Sequence, residues 1–233
     1  MSRHHFAGDP GSRPLKTLFG SRFGPSARLF CLVILAVSAL FSQAAGFVTN
    51  KTTGKAQPGV KVTLMQLAET GATTALSTVT TDAQGHFAFG ETLNGMYALE
   101  SEYQDVKYTQ VIPPMLPKDN LQVSVFNTTD SPAAHSVEQH IFFLEPGTSQ
   151  MVVSETYILI NKTQQTYRNT RQGSIRFYLP PEAKGIVQTA IIGPDQRPVA
   201  YTAQKLPQAN LYQVSYPLPP GESRIDLNYV IPY

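Results

Sequence analysis

The 233-residue chain has no tryptophan and a single cysteine, and only 15% of its residues are charged. Each shortage excludes something. With 18 Lys+Arg against 16 Asp+Glu there is no basic excess to hold nucleic acid, and too little charge for a solvated disordered chain. The lone Cys31 excludes an internal disulfide. No apolar run reaches the roughly 20 residues that a membrane helix needs. No His-Glu-x-x-His or Gly-x-Ser-x-Gly occurs, and no Ser-x-x-Lys set in a helical context. The histidines of the main body, His86, His135 and His140, lack metal-ligand spacing. The carboxylates Glu100, Glu102 and Asp105 are close in sequence, but Glu100 and Glu102 fall on the strand face opposite Tyr97 and Leu99, which is predicted to point to water. The expectation is no enzyme, no cofactor and no metal.

What is there begins with Leu29–Phe41 (LFCLVILAVSALF). Arg3, Arg13, Lys16, Arg22 and Arg28 precede it, and Ser42-Gln43-Ala44-Ala45 follows. A basic segment, an apolar core of about 7–15 residues and a small-x-small exit form the pattern of a secretory signal peptide. Residues 1–45 are therefore predicted as a signal segment, cleaved after Ala44 or Ala45; an uncleaved signal anchor is the alternative. Removing residues 1–44 leaves 13 Lys+Arg against 15 Asp+Glu, a formal charge of −2 where the whole chain has +2. The expected location is a bacterial periplasm, cell surface or exterior, with a membrane anchor if the leader stays. Membrane contact is expected only through this segment or through a missing C-terminal region.

Beyond Ala45, apolar residues recur at every second position, the signal of strands. Val60, Val62 and Leu64 share a face, as do Phe87 and Phe89, then Tyr97, Leu99 and Tyr103, then Leu121, Val123 and Val125. Gly, Asp, Asn and Pro punctuate them, at Thr53-Gly54, Pro58-Gly59, Asp82–Gly85 and Asn94-Gly95. Residues 127–134 (NTTDSPAA) read as a polar connector. Later candidates are Glu138–Leu144, Gln150–Asn161, Ser174–Leu179, Val187–Ile192, Tyr212–Tyr216 and Arg224–Ile231. In Gln150–Asn161, Val153, Tyr157 and Leu159 fall on one side and Val152, Ile158 and Ile160 on the other. That predicts a central strand covered on both faces, or one that bends between sheets. The fold class is all-β: two consecutive β-sandwich domains, 46–127 and 136–233, joined by a linker at 128–135. The chain stops at Ile231-Pro232-Tyr233, in or at the edge of a strand, which leaves open a truncated second sandwich from a longer parent.

Five elements follow one another in the first region: Gly46-Phe47-Val48, Thr53-Gly54, Pro58-Gly59-Val60-Lys61-Val62, Thr81-Asp82-Ala83-Gln84-Gly85-His86-Phe87 and Gly95-Met96-Tyr97-Ala98-Leu99. In order and spacing this stretch resembles the carboxypeptidase regulatory-like domain, a transthyretin-like sandwich. The resemblance covers about one third of the chain. It implies a fold and no chemistry, because its residues are scaffold. The family's grouping with starch-binding-like sandwiches implies carbohydrate binding as an option. The second half resembles only loosely the β-sandwich segments of bacterial envelope proteins.

Read from the residues alone, Asp82 and Gly85 close a hairpin, and Phe87 with Tyr97 forms a cross-strand core pair. Tyr103, Tyr108, Tyr167 and Tyr178 are the candidate ligand platform, since a sugar's C–H face stacks on an aromatic ring and no tryptophan is present. The tripeptides Asn50-Lys51-Thr52, Asn127-Thr128-Thr129 and Asn161-Lys162-Thr163 predict surface loops. The functional expectation is a non-catalytic exported envelope protein in an interaction or structural role. Its partner would be an unidentified envelope protein or a polysaccharide. The alternatives are a carbohydrate-binding module of the starch-binding-like type, or an accessory region of a larger secreted enzyme or transporter.

Overall fold

The computed structural model describes residues 43–68, 72–93 and 95–233. The predicted leader lies outside them, except that its exit overlaps the first strand, β1 (Gln43–Asn50), where Ala44 is fully buried. The described chain is all-β, with one short helical turn at Pro132–Ala134. No described helix is long and apolar enough to cross a membrane, which says nothing of a β-barrel.

The first sandwich stacks two four-stranded sheets. One is built on β1. The parallel strand β8 (Leu121–Val125) runs along one edge, and the antiparallel strands β5 (His86–Thr92) and β2 (Lys55–Ala56) share the other. The second sheet is the antiparallel array β4 (Thr73–Thr80), β3 (Lys61–Leu67), β6 (Tyr97–Tyr103) and β7 (Val106–Ile112). Alternation places Val48, Phe87 and Val123 of the first sheet against Val62, Leu64 and Leu99 of the second in one buried cluster. Burying side chains of this size stabilises by about 1.5–3 kcal/mol each.

The turn at Asp82–Gly85 corrects one expectation. Asp82 Oδ1 accepts from the backbone N–H of Gln84 at 2.9 Å and of His86 at 2.8 Å, and Gly85 has φ +73°. The strands it joins, β4 and β5, belong to different sheets. It therefore carries the chain across the sandwich and closes no hairpin. Phe87 and Tyr97 likewise lie in opposite sheets and meet across the core, not as neighbours in a ladder. A Cβ at Gly85 would stand 2.8 Å from the Val48 carbonyl oxygen and 3.0 Å from the Gln57 nitrogen. Gly85→Val combines that clash with a left-handed backbone and is expected to cost about 2–4 kcal/mol. A shift of the urea unfolding midpoint measures it; an unchanged midpoint would refute the packing argument.

The second sandwich faces a five-stranded antiparallel sheet with a three-stranded one. The chain reaches it through β9 (Thr128–Thr129). The large sheet runs β10 (His135–Pro146), β11 (Gln150–Asn161), β18 (Gly221–Pro232), β14 (Lys184–Ile192) and β15 (Pro198–Thr202). The small one runs β13 (Ile175–Tyr178), β17 (Leu211–Val214) and β16 (Gln204–Lys205). Val153, Leu159, Ile191, Ile225 and Leu227 from the large sheet bury against Phe177 and Val214 from the small one. β11 is paired on both edges, and its two faces are unequally covered: Val153, Tyr157 and Leu159 are buried, whereas Val152, Ile158 and Ile160 are only partly buried.

The segment read as a linker is hydrogen-bonded. β9 pairs in parallel with β12 (Thr166–Tyr167), and the Thr128 N–H donates to Gln104 Oε1 at 2.7 Å. Two of the three Asn-x-Thr tripeptides also depart from expectation. Asn50 and Asn161 are buried at the ends of β1 and β11. Each folds the chain into an Asx turn, accepting from the N–H of Thr52 and of Thr163 at 3.0 Å. Each also donates inward, Asn50 to Asn127 Oδ1 at 2.8 Å and Asn161 to the Leu218 carbonyl at 2.9 Å.

Candidate functional site

The two sandwiches meet along β7, the end of β8 and the loops that precede β15 and β18. Tyr108 on β7 is the pivot. Its hydroxyl donates to the Phe126 carbonyl at 3.1 Å and shares a 2.8 Å hydrogen bond with Thr166 Oγ1 in the second sandwich. Burial pushes the Tyr108 phenol above its ordinary pKa, against the opposing pull of those two bonds. Asp105 and Arg168 add an ion pair across the junction at 3.5 Å.

Beside this pivot lies a cleft of about 300 Å³, at the lower end of the size range for small-ligand pockets. Three rings wall it: Tyr108, Phe126 and Tyr216. Tyr108 and Phe126 lie 5.9 Å apart, tilted by 50°. Pro194, Pro219 and Pro220 extend the apolar surface, while Lys107, Gln110, Ser124 and Asp195 bring polar groups. Burial first, and then the Asp195 charge, raise the Tyr216 phenol. A second hollow of about 370 Å³ shares Lys107, Thr109, Tyr216 and Pro219 and adds Glu100 and Asp105. These shared side chains form a common wall between the two hollows. The cleft offers flat apolar faces with hydrogen-bond donors and acceptors at its rim.

A different constellation lies in the second sandwich. Glu155 on β11 is buried, with three donors on its two oxygens. Tyr229 OH reaches Oε1 at 2.6 Å; Tyr157 OH and His140 Nε2 reach Oε2 at 3.0 and 2.9 Å. The His140 ring stacks on Tyr157, centroids 3.9 Å apart. Burial holds both phenols well above their ordinary range, helped next by the Glu155 charge at Tyr157 and by the Glu155 hydrogen bond at Tyr229, so they remain donors. This network satisfies a buried carboxylate and joins β10, β11 and β18.

The four tyrosines of the predicted platform do not converge. Tyr108 lines the cleft. Tyr103 sits nearby, half-buried, its hydroxyl donating to Asn127 Oδ1 at 3.1 Å. Tyr167 is 2% exposed and belongs to the second core, so it has no face for a ligand. Its hydroxyl donates to the Gly173 carbonyl at 3.1 Å. Tyr178 is 69% exposed on β13, in the small sheet of the second sandwich. Glu100 pairs with Lys107 at 2.8 Å, and Glu102 is exposed beside it. Among the described residues no group of three or more His, Cys, Asp or Glu is placed to hold a metal. Sequence reading missed Phe126 and Tyr216, which no local pattern marks. It also missed Glu155, although its parity with Val153 and Tyr157 places it on the inner face.

Fold and site define an all-β chain with two sandwich cores and a ligand-sized cleft where they meet. No family model and no curated protein sequence matches it. Among solved structures it is similar to a DUF3823 family protein from Bacteroides uniformis, at TM-score 0.28 and 11% identity over 82% of this chain and 84% of that one. It is also similar to BcpA, the major pilin subunit of Bacillus cereus, at TM-score 0.26 and 11% identity over 82% of this chain and 58% of the pilin. Scores this low leave function to the geometry of the chain itself.

Proposed function

We propose that this chain is a non-catalytic binding protein acting outside the cytoplasm, with the junction cleft as a carbohydrate site. The cleft carries the reading. A sugar offers an apolar C–H face and a rim of hydroxyls, and the cleft offers three rings with Lys107, Gln110, Ser124 and Asp195 around them. Tyr108 is the one ring common to the predicted platform and the cleft. The export part of the proposal rests on the basic leader, its apolar core and its small-residue exit. We also assign residues 46–127 to the carboxypeptidase regulatory-like type. The Asp82–Gly85 turn and the tight seating of Gly46 against β8 support that assignment, which adds scaffold and no chemistry. The two buried cores share no residue, which supports two modules fastened at the junction.

A glycan array followed by titration calorimetry tests the site. Tyr216→Ala should weaken binding at least tenfold, and Gln110→Ala should weaken it severalfold with an unchanged melting temperature, since Gln110 is exposed. No glycan bound above background, or affinity indifferent to both substitutions, would remove the carbohydrate reading.

A further inference from the structure

We propose that β10 is the edge through which two copies of this chain join, strand against antiparallel strand, into one continuous sheet. The strand is twelve residues long and, among the described residues, pairs only with β11 and ends the five-stranded sheet. Long open edges are normally blunted by charge, proline, bulges or brevity. Two other edges follow that rule: β15 is short and starts with Pro198, and β4 is bulged, because Leu64 pairs with Ser77 and Met65 with Ala75. In β10, Ile141-Phe142-Phe143-Leu144 is uncharged, and all four side chains are about half-exposed, from 49 to 61%. The one bulge, between Val137 and Gln139, lies before this run.

The exposed residues lie on both faces. Phe142 and Leu144 stand opposite Glu155 and Val153 and share their inward face, while Ile141 and Phe143 stand opposite Thr156 and Ser154 and share the outer one. A ligand laid on the sheet would cover one pair and leave the other wet. A strand added edge-on flanks both pairs and also takes up the free backbone groups.

The sequence of the edge fits itself. Two-fold antiparallel pairing places residues of like parity opposite each other, so one residue must face its own copy. With Phe142 facing Phe142, Ile141 meets Phe143, His140 meets Leu144, and Gln139 meets Glu145, an amide facing a carboxylate. No like charges oppose. Shifting by one allowed step sets Gln139 against Phe143, or Ile141 against Glu145. The four exposed side chains offer roughly 400 Å² per copy; with the paired backbone and flanks the total reaches roughly 1,000–1,200 Å², enough for a specific contact.

Cross-linking and mass test this on the full-length chain expressed with Cys31→Ser, so that an introduced thiol is the sole one. Facing Cβ atoms in such a pair are about 4.5–5.5 Å apart, close enough for a disulfide after slight adjustment. Phe142→Cys should run at doubled mass on a non-reducing gel after mild oxidation. Tyr178→Cys, exposed on the other sheet, should not. Sedimentation equilibrium of the Cys31→Ser protein should give a dimer, and Phe143→Lys, an outward substitution, should weaken it at least tenfold with unchanged circular dichroism. A monomer at 200 µM would overturn the proposal, as would a dimer that survives Phe143→Lys, or one that cross-links at Tyr178→Cys and not at Phe142→Cys.

Discussion

Glu155→Ala is expected to destabilise the second sandwich by about 3–5 kcal/mol, the cost of stranding partners of a buried charge. The carboxylate is the acceptor for Tyr157, Tyr229 and His140, and the space it fills is closed to water. Removing it leaves two buried hydroxyls and a ring nitrogen with no acceptor. Glu155→Gln should cost less, because an amide oxygen still accepts and a phenol can turn to accept from the amide nitrogen. The phenols add a pH signature. Their folded pKa values lie above the unfolded value near 10, so the folded state keeps protons that the unfolded state loses. Their stabilisation is complete below about pH 10 and is lost as pH rises from there toward the folded values, at about 1.4 kcal/mol per unit for each group. Urea titrations at pH 8 and 11 should show that loss, and Tyr229→Phe should reduce it. A Glu155→Ala protein with wild-type midpoints at both pH values would refute the network's role.

Gly46→Ala should be as damaging, at about 3–4 kcal/mol or more, for a purely steric reason. A Cβ there would stand 2.0 Å from the Leu121 carbonyl oxygen and 2.7 Å from its carbon. Both are backbone atoms, fixed by five consecutive pairs from Gly46↔Leu121 to Asn50↔Val125. A flexible side chain could swing away; a main-chain carbonyl in a ladder moves only if the strands part. Gly90→Ala on β5 is the control, because nothing lies within 4 Å of its added methyl. Comparable unfolding midpoints for the two variants would show that β1 and β8 are not held as described.

Alternation made the inner faces legible: Val60, Val62 and Leu64 are all fully buried. A period of two says which side chains share a face but not which strands become neighbours. Asp82 and Gly85 therefore mark a turn, while the fact that it crosses between sheets depends on β1 capturing β5. The same limit hid the cleft. Tyr108, Phe126 and Tyr216 span more than a hundred residues and meet only through topology. Tyr167 misled because an aromatic ring with a hydroxyl suits a wet platform and a dry core equally, until the Gly173 carbonyl supplies its partner. The apolar residues on both sides of β11 suggested cover on each face; the outer ones, Val152, Ile158 and Ile160, are only partly buried, beside a more exposed β10.

The parallel seam between β1 and β8 also dictates an order of events. Residues 46–50 find their partners only at residues 121–125, about seventy-five positions later. Local turns and the β3–β4 and β6–β7 ladders can form while the chain is still growing. The sheet holding β1 is completed on that edge only when residue 125 is free to reach it, and closing so long a loop is slow. Until then one flank of β1 stays open. A chain leaving a ribosome or a translocation pore would present this unfinished edge while about seventy-five further residues pass, from residue 50 to residue 125.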